Sequence, residues 1–219
     1  MHLVTTKPGL ILADDEDQTL APEINRSILE KRTGYQRCYV ELGSGSGMHL
    51  LQLAAQNPDT LCVGIEIRFK RAFRTGEKAE EMGLSNVLVL RSDAKQIDEI
   101  FNLESIDGFF INYPDPWEKR KWRKNRLING DFVAKLHKLL KPEGFLRFKT
   151  DHHEYFTSTL PLFQETSWTR TKFSRDIFAS EYCSQNIPTE FEMLFKYQKK
   201  ELCLLEVRKP LHPAHDSSK

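Results

Sequence analysis

Cysteine is scarce in this chain and never closely paired. The four cysteines among its 219 residues (Cys38, Cys62, Cys183, Cys203) form no C-x-x-C unit, which excludes a zinc ribbon or a dithiol redox centre. Cys38, Cys62 and Cys203 lie in or beside apolar, strand-like runs and read as small buried hydrophobes in a reducing compartment. No apolar run approaches the roughly 20 residues that a membrane-spanning helix needs, and no basic segment followed by an apolar stretch opens the chain. The expected location is therefore cytoplasmic, with no membrane partner. An excess of one charge is also missing: 32 Lys and Arg against 31 Asp and Glu leave a net charge of +1. The total does not mark a polyanion binder, but the distribution is uneven. Asp14, Asp15, Glu16 and Asp17 form an acidic cluster, and the run from Lys119 to Arg126 is strongly basic, an asymmetry that can steer a polyanion. Repeats and low-complexity segments are absent.

What is present suits one α/β domain with modest additions: 39% hydrophobic and 29% charged residues. Residues 1–35 read as an N-terminal extension, irregular over 1–20 and helical over 22–32. The main domain is expected over 36–209, and 210–219 read as a disordered tail. Within the domain, strands at 38–42, 61–66, 87–90, 106–111 and 145–148 alternate with helices at 48–56, 69–82, 95–101, 131–140 and 153–163. That alternation predicts a mostly parallel sheet with helices on both faces. Two late strands, 168–173 and 202–207, break the alternation and predict an antiparallel end to the sheet.

Three local patterns carry chemistry. The loop Glu41-Leu42-Gly43-Ser44-Gly45-Ser46-Gly47 follows the first domain strand, and its glycines permit a tight turn and close ligand approach. A dinucleotide site wants G-x-G-x-x-G, whereas here the third glycine comes one residue early. The spacing with its preceding acid suits S-adenosylmethionine, whose ammonium and sulfonium favour a nearby carboxylate such as Glu41. Glu66 and Asp93 follow the next two strands, at the carboxyl ends where open α/β sheets bind ligands. Glu66 suits ribose hydroxyls, and also reads as a charge opening the next helix. Asp93, next to Ala94, suits an adenine amino group and equally a helix cap. The third pattern is Asn112-Tyr113-Pro114-Asp115-Pro116-Trp117. Two prolines fix the backbone around a carboxylate and an indole, and six of the next ten residues are basic. An acid framed by aromatics beside a cationic patch suits work on a nucleic-acid base; a charge run also reads simply as a solvated face. The adjacent His152 and His153 point to different faces and have no third ligand, so no metal site is expected.

With Gly64-Ile65-Glu66-Ile67, Phe148-Lys149-Thr150-Asp151 and Thr189-Glu190-Phe191-Glu192, these patterns resemble those of the bacterial-type tRNA (guanine-N7-)-methyltransferases, from about Tyr39 to Arg208. The resemblance implies a Rossmann-like class I methyltransferase fold: a mostly parallel seven-stranded sheet with helices on both faces and an antiparallel last strand. It implies S-adenosyl-L-methionine as cofactor and methyl transfer to guanine N7 in the tRNA variable loop. Glu41, Gly43, Gly45, Gly47, Glu66, Asp93, Ala94 and Asp115 would line the cofactor site. Lys119, Asp151, Thr189 and Glu192 would line the substrate site, and Lys121, Arg123, Lys124 and Arg126 would contact RNA. Ser46 stands where many relatives carry Lys or Asn. The partner implied is tRNA, with the chain a monomer or homodimer.

Guanine N7 carries a free lone pair, so its methylation needs no general base. It needs in-line positioning, and a fixed carboxylate to stabilise the cationic product ring. Asp115 is the catalytic candidate, and Tyr113 or Trp117 is placed to stack on the base. Thr189 and Glu192 also form a capping box for a helix over 191–197. Competing readings are a methyltransferase acting on an exocyclic amine and a non-enzymatic RNA-binding protein on the same scaffold.

Overall fold

The computed structural model describes residues 4–7, 10–12, 28–164 and 167–211. The first strands are β1 (Val4–Lys7), β2 (Leu10–Leu12), β3 (Arg37–Leu42), β4 (Thr60–Ile65) and β5 (Val87–Leu90). They are followed by β6 (Ile106–Asn112), β7 (Leu140–Thr150), β8 (Thr169–Ser174) and β9 (Cys203–Arg208). Seven of them, in the order β5-β4-β3-β6-β7-β9-β8, make the expected sheet, parallel from β5 to β7. β9 runs antiparallel to both β7 and β8. β3 pairs with β4 on one side and β6 on the other, so the chain reverses its winding direction there. Such a switch point opens a crevice at the carboxyl ends of the strands.

The helices are α1 (Met48–Gln56), α2 (Phe69–Glu81), α3 (Ile97–Ile100), α4 (Gly130–Leu139), α5 (His153–Thr159) and α6 (Glu190–Tyr197). They cover both faces because successive strand residues point to opposite sides. Leu61, Val63 and Ile65 of β4 join one apolar cluster with Phe132 and Leu136 of α4 and Phe156 of α5. Cys62, between them, joins a second cluster with Leu50 and Leu53 of α1 and Ala72 of α2. Every residue of β4 is buried, as a central parallel strand requires. The cysteines behave as expected: Cys38, Cys62 and Cys203 are buried, and burial pushes the Cys38 thiol up to about 12.

Four expectations need correction. Residues 1–20 are not uniformly irregular, since β2 adds in parallel to β5 through Leu10↔Val89 and Ile11↔Leu90, and β1 folds back on it. An edge strand's unpaired backbone groups attract such cover, and the short Leu10-Ile11-Leu12 run supplies it. Lys141-Pro142 does not separate a helix from a strand at 145: β7 starts at Leu140, and Pro142 sits where the β6–β7 register slips, between the pairs at Ile106 and Gly108. The helix expected over 95–101 is a 3-10 turn (Ala94–Gln96) leading into α3. The one expected over 153–163 passes after Thr159 into a 3-10 turn at Leu160–Phe163, where Pro161 lacks the N–H that would continue α5. The helix expected over 22–32 is present over 28–32; its first residues, the acidic cluster at 14–17 and residues 212–219 of the expected tail lie outside the described residues.

Candidate active site

The glycine loop lies in the crevice at the switch point. Gly43, Gly45 and Gly47 all have left-handed φ values of 77°, 57° and 83°, a region costly to residues with a Cβ. At Gly47 a Cβ would also overlap the Thr75 side chain of α2. The loop is held from the end of β4: Gly43 and Ser44 N–H donate to the Ile65 carbonyl at 2.8 and 3.0 Å. The Gly45 N–H donates to Glu66 Oε2 at 2.9 Å, while Glu66 Oε1 accepts from Arg68 N–H at 2.8 Å. Glu66 thus sets the loop and opens α2 together. The Ser46 carbonyl accepts from Lys78 Nζ at 3.0 Å, so that position contributes backbone.

Beside the loop is a cleft of about 360 Å³. It is lined by Glu41, Gly43, Ser44 and Gly45, by His49 of α1, by Asn112 at the end of β6 with Tyr113 after it, and by Thr189, Glu190 and Phe191 at the start of α6. Glu41 Oε1 accepts from Asn112 Nδ2 at 2.8 Å, and Glu41 Oε2 lies 3.2 Å from His49 Nδ1. Two buried polar atoms of this lining, Ser44 Oγ and Asn112 Oδ1, have no hydrogen-bond partner among the described residues, and Glu41 Oε2 and His49 Nδ1 have only their contact with each other. Buried polar groups are ordinarily paired. A ligand carrying cationic and donor groups would satisfy such a set, and S-adenosylmethionine has both. His49 did not stand out in the sequence, a histidine two positions after the last loop glycine being the available signal, and Asn112 stood out only as the first residue of the proline-rich pattern, with no role of its own.

Of the other expected residues Tyr113 and Thr189 line the cleft, while Asp93, Ala94, Asp115, Trp117, Asp151 and Glu192 do not. Asp93 caps the 3-10 turn, its Oδ1 accepting from Lys95 N–H at 2.9 Å, and Ala94 packs on the core. Asp115 is exposed, two residues beyond Tyr113. Tyr113 and Trp117, flanking Pro114-Asp115-Pro116, have φ values of 52° and 43°, conformations costing about 1–3 kcal/mol each and concentrated at functional sites. The Tyr113 ring packs against Phe195 and Phe191 at 5.6 and 6.3 Å, and burial, reinforced by the Glu192 charge, pushes its hydroxyl well above the usual phenol range. Trp117 is on the surface, edge-on to Trp122 at 6.2 Å. Asp151 is 3.4 Å from Lys200 Nζ. Thr189 caps α6, its hydroxyl accepting from Glu192 N–H at 3.2 Å. The Glu192 carboxylate is buried against Lys149 of β7, which burial pulls below the usual ammonium range against the opposing pull of Glu192.

The basic run is a 3-10 turn, Arg120–Asn125, and it divides. Lys119 and Lys121 lie over the Trp122 ring at 4.8 and 5.2 Å, and Lys124 is exposed. Arg123 reaches Glu154 at 3.2 Å while staying on the surface. Arg126, expected among the RNA-contacting cations, is buried instead. Its guanidinium donates to the Pro116 carbonyl, Glu154 and Ser158 and stacks 4.6 Å over Tyr155, which ties the proline loop to α5. Among the described residues no group of three or more His, Cys, Asp or Glu is arranged to hold a metal ion, and no helix is long and apolar enough to cross a membrane.

Sheet order, switch-point crevice and glycine loop together define a class I S-adenosylmethionine-dependent methyltransferase. Solved structures share the fold: a 16S rRNA methyltransferase, KamB, superposes with a TM-score of 0.67 at 15% identity over 84% of this chain and 93% of its own. An O-methyltransferase from Thermotoga maritima gives a TM-score of 0.55 at 16% identity over 89% of this chain and 67% of its own. A family model described as "Putative methyltransferase" matches residues 35–205. A tRNA (guanine-N(7)-)-methyltransferase of Clostridioides difficile is 32% identical over 78% of this chain and 79% of its own, and one of Mycoplasma pneumoniae 33% identical over 89% and 92%. A bifunctional glycosyltransferase/methyltransferase of Fusobacterium nucleatum is 36% identical over 78% of this chain, which spans 27% of that longer protein. The chain belongs to the tRNA (guanine-N7-)-methyltransferase family, and its methyl donor is S-adenosylmethionine.

Proposed function

We propose that this protein methylates N7 of a guanine in the variable loop of tRNA, giving 7-methylguanosine, in the cytoplasm where that substrate resides. The observation that carries the reading is the cleft itself: the glycine loop, the buried Glu41 and under-satisfied polar atoms at Ser44 and Asn112 share one lining with the Thr189-Glu190-Phe191 segment. Residues 36–209 act as one methyltransferase domain behind an extension at 1–35. Glu41, held by Asn112, takes the cationic end of the donor against Gly43, Gly45 and Gly47. Glu66, while holding the Gly45 and Arg68 N–H groups, offers the remaining lone pairs of its carboxylate to the ribose, and Asp93 with Ala94 borders the adenine.

When bound, the donor supplies an electrophilic methyl group on a positively charged sulfur. The lone pair of guanine N7 would accept that methyl group, leaving the donor's sulfur neutral and the base cationic. No proton moves, so the chain contributes alignment and charge. Asp115, fixed between prolines, faces the developing cation and accepts from the guanine Watson–Crick edge, which selects guanine over adenine. Lys119, Asp151 and Thr189 border the base, and exposed Trp117 offers a stacking face worth roughly 1–3 kcal/mol. Lys121, Arg123 and Lys124 hold phosphates. The test is transfer of labelled methyl groups to unmodified tRNA, digested to nucleosides and read by mass spectrometry. 7-Methylguanosine is the expected product; a methylated exocyclic amine would refute the N7 assignment while keeping fold and donor.

A further inference from the structure

Helix α6 is inside out at one position. Phe191, Met193 and Leu194 are 52%, 57% and 50% exposed, while Glu192 among them is 1% exposed. Both Glu192 carboxylate oxygens are occupied, Oε1 by Lys149 Nζ and Oε2 by Asn186 Nδ2. Lys149 is equally buried, and its ammonium also donates to Asn186 Oδ1 and the Ile187 carbonyl, both at 3.1 Å. An ammonium has three donors, and all three are used. Glu192 and Lys149 are each only 1% exposed, so it is burial that keeps this pair from a nucleobase. A buried pair is weak evidence for stability, because desolvation offsets its attraction, and register is a better-attested use. Here the pair joins β7 to a residue 43 positions later in the chain. That residue lies in the first turn of α6, directly after Thr189, Glu190 and Phe191, which wall the cleft.

We propose that Lys149 and Glu192, with Asn186, form a latch that positions the Thr189–Phe191 wall of the cleft, so that Glu192 serves methyl transfer by placement and not by contact with guanine. The proposal rests on the reading of this cleft as the methyl-transfer site.

The experiment compares Lys149→Met, Glu192→Leu and the double variant by melting temperature, by calorimetric affinity for S-adenosylhomocysteine, and by kcat and KM for tRNA methylation. Each single change strands a buried partner and is expected to lower the melting temperature and to weaken both affinity and turnover by about tenfold or more. The double variant removes both charges and is expected to recover melting temperature, affinity and turnover together, since a latch can be replaced by apolar packing. A double variant that folds and binds S-adenosylhomocysteine normally, yet methylates tRNA no better than Glu192→Leu, would show that Glu192 touches the base and overturn the proposal. Asn186→Ala loosens the grip without stranding a full charge. It is expected to raise the S-adenosylhomocysteine dissociation constant and the KM for tRNA a few-fold; a folded Asn186→Ala protein unchanged in both would equally overturn it. Native protein that binds S-adenosylhomocysteine but methylates no tRNA would remove the substrate reading alone, because the affinity comparison still reports on the latch.

Discussion

The two sides of the cleft are built on different principles. The glycine-loop side consists of backbone turns closed by short hydrogen bonds from the ends of β3 and β4, with Glu41 and Glu66 buried behind them. The other side is lined by Asn112, Tyr113 and the start of α6, and the 112–126 segment and α6 continue beyond it with exposed aromatics, surface cations and two strained non-glycine residues. The first suits a small ligand of fixed shape, recognised by main-chain geometry. The second suits a large polyanion whose reacting base must be drawn from its surroundings, recognised by charge and stacking.

The contrast is broken most severely at Asp115. If this acid stabilises the cationic base, Asp115→Ala lowers kcat by about 10²–10³-fold, the usual loss for a preorganised electrostatic group, with tRNA affinity within a few-fold of native. Equal losses in single-turnover rate and tRNA affinity would make Asp115 a binding residue only. Next is Gly47→Ala on the opposite side, which combines a left-handed φ with overlap on Thr75. A cost of about 2–4 kcal/mol follows from strain plus overpacking, read as a lowered melting temperature and weakened donor binding by calorimetry. A native-like melting curve would mean that the loop tolerates another path.

Much of the glycine-loop geometry was legible in the sequence because it depends on neighbours. The glycine spacing, the acid before it and the acids after successive strands all fall within single strand–loop–helix units, where period and punctuation suffice. The opposite side depends on register between distant segments. A run of cations looks uniformly solvated as letters, yet the 3-10 turn leaves Lys124 in water and carries Arg126 under Pro116 and onto Tyr155. Glu192 reads as part of a capping box, which it is, but its carboxylate partner lies on β7. The strands at Val4–Lys7 and Leu10–Leu12 were hidden for a related reason: they exist because β5 offers an edge, which no local composition announces.

The basic run therefore gives an internal control. Replacing Lys121, Arg123 and Lys124 by Ala should raise the tRNA dissociation constant and flatten its dependence on salt, by about 0.7–0.9 in log–log slope for each phosphate that is no longer neutralised. Arg126→Ala should instead lower the melting temperature, through a cost of about 1–3 kcal/mol for its missing buried hydrogen bonds, and leave the salt slope near native. Fluorescence titrations at several salt concentrations distinguish the two, and an unchanged slope in the triple variant removes this patch from the RNA interface.

The smallest effect concerns the antiparallel end of the sheet, where Glu206 of β9 is buried between Arg147 of β7 and Lys172 of β8. Burial acts to raise its pKa, but the Arg147 charge and hydrogen bonds, with Lys172 and Thr171, outweigh it and hold the carboxyl below the usual range. A carboxyl depressed in the folded state binds fewer protons there than in the unfolded chain. Its contribution is thus fully present above the unfolded value of about 4.3 and is lost as pH falls through the lower folded value. Urea unfolding between pH 6 and about pH 3 should show stability declining more steeply in the native protein than in Glu206→Gln, which has no charge to lose. Parallel declines would mean that other carboxyls, and not Glu206, govern the acid response, since Arg147 and Lys172 stay protonated throughout this range.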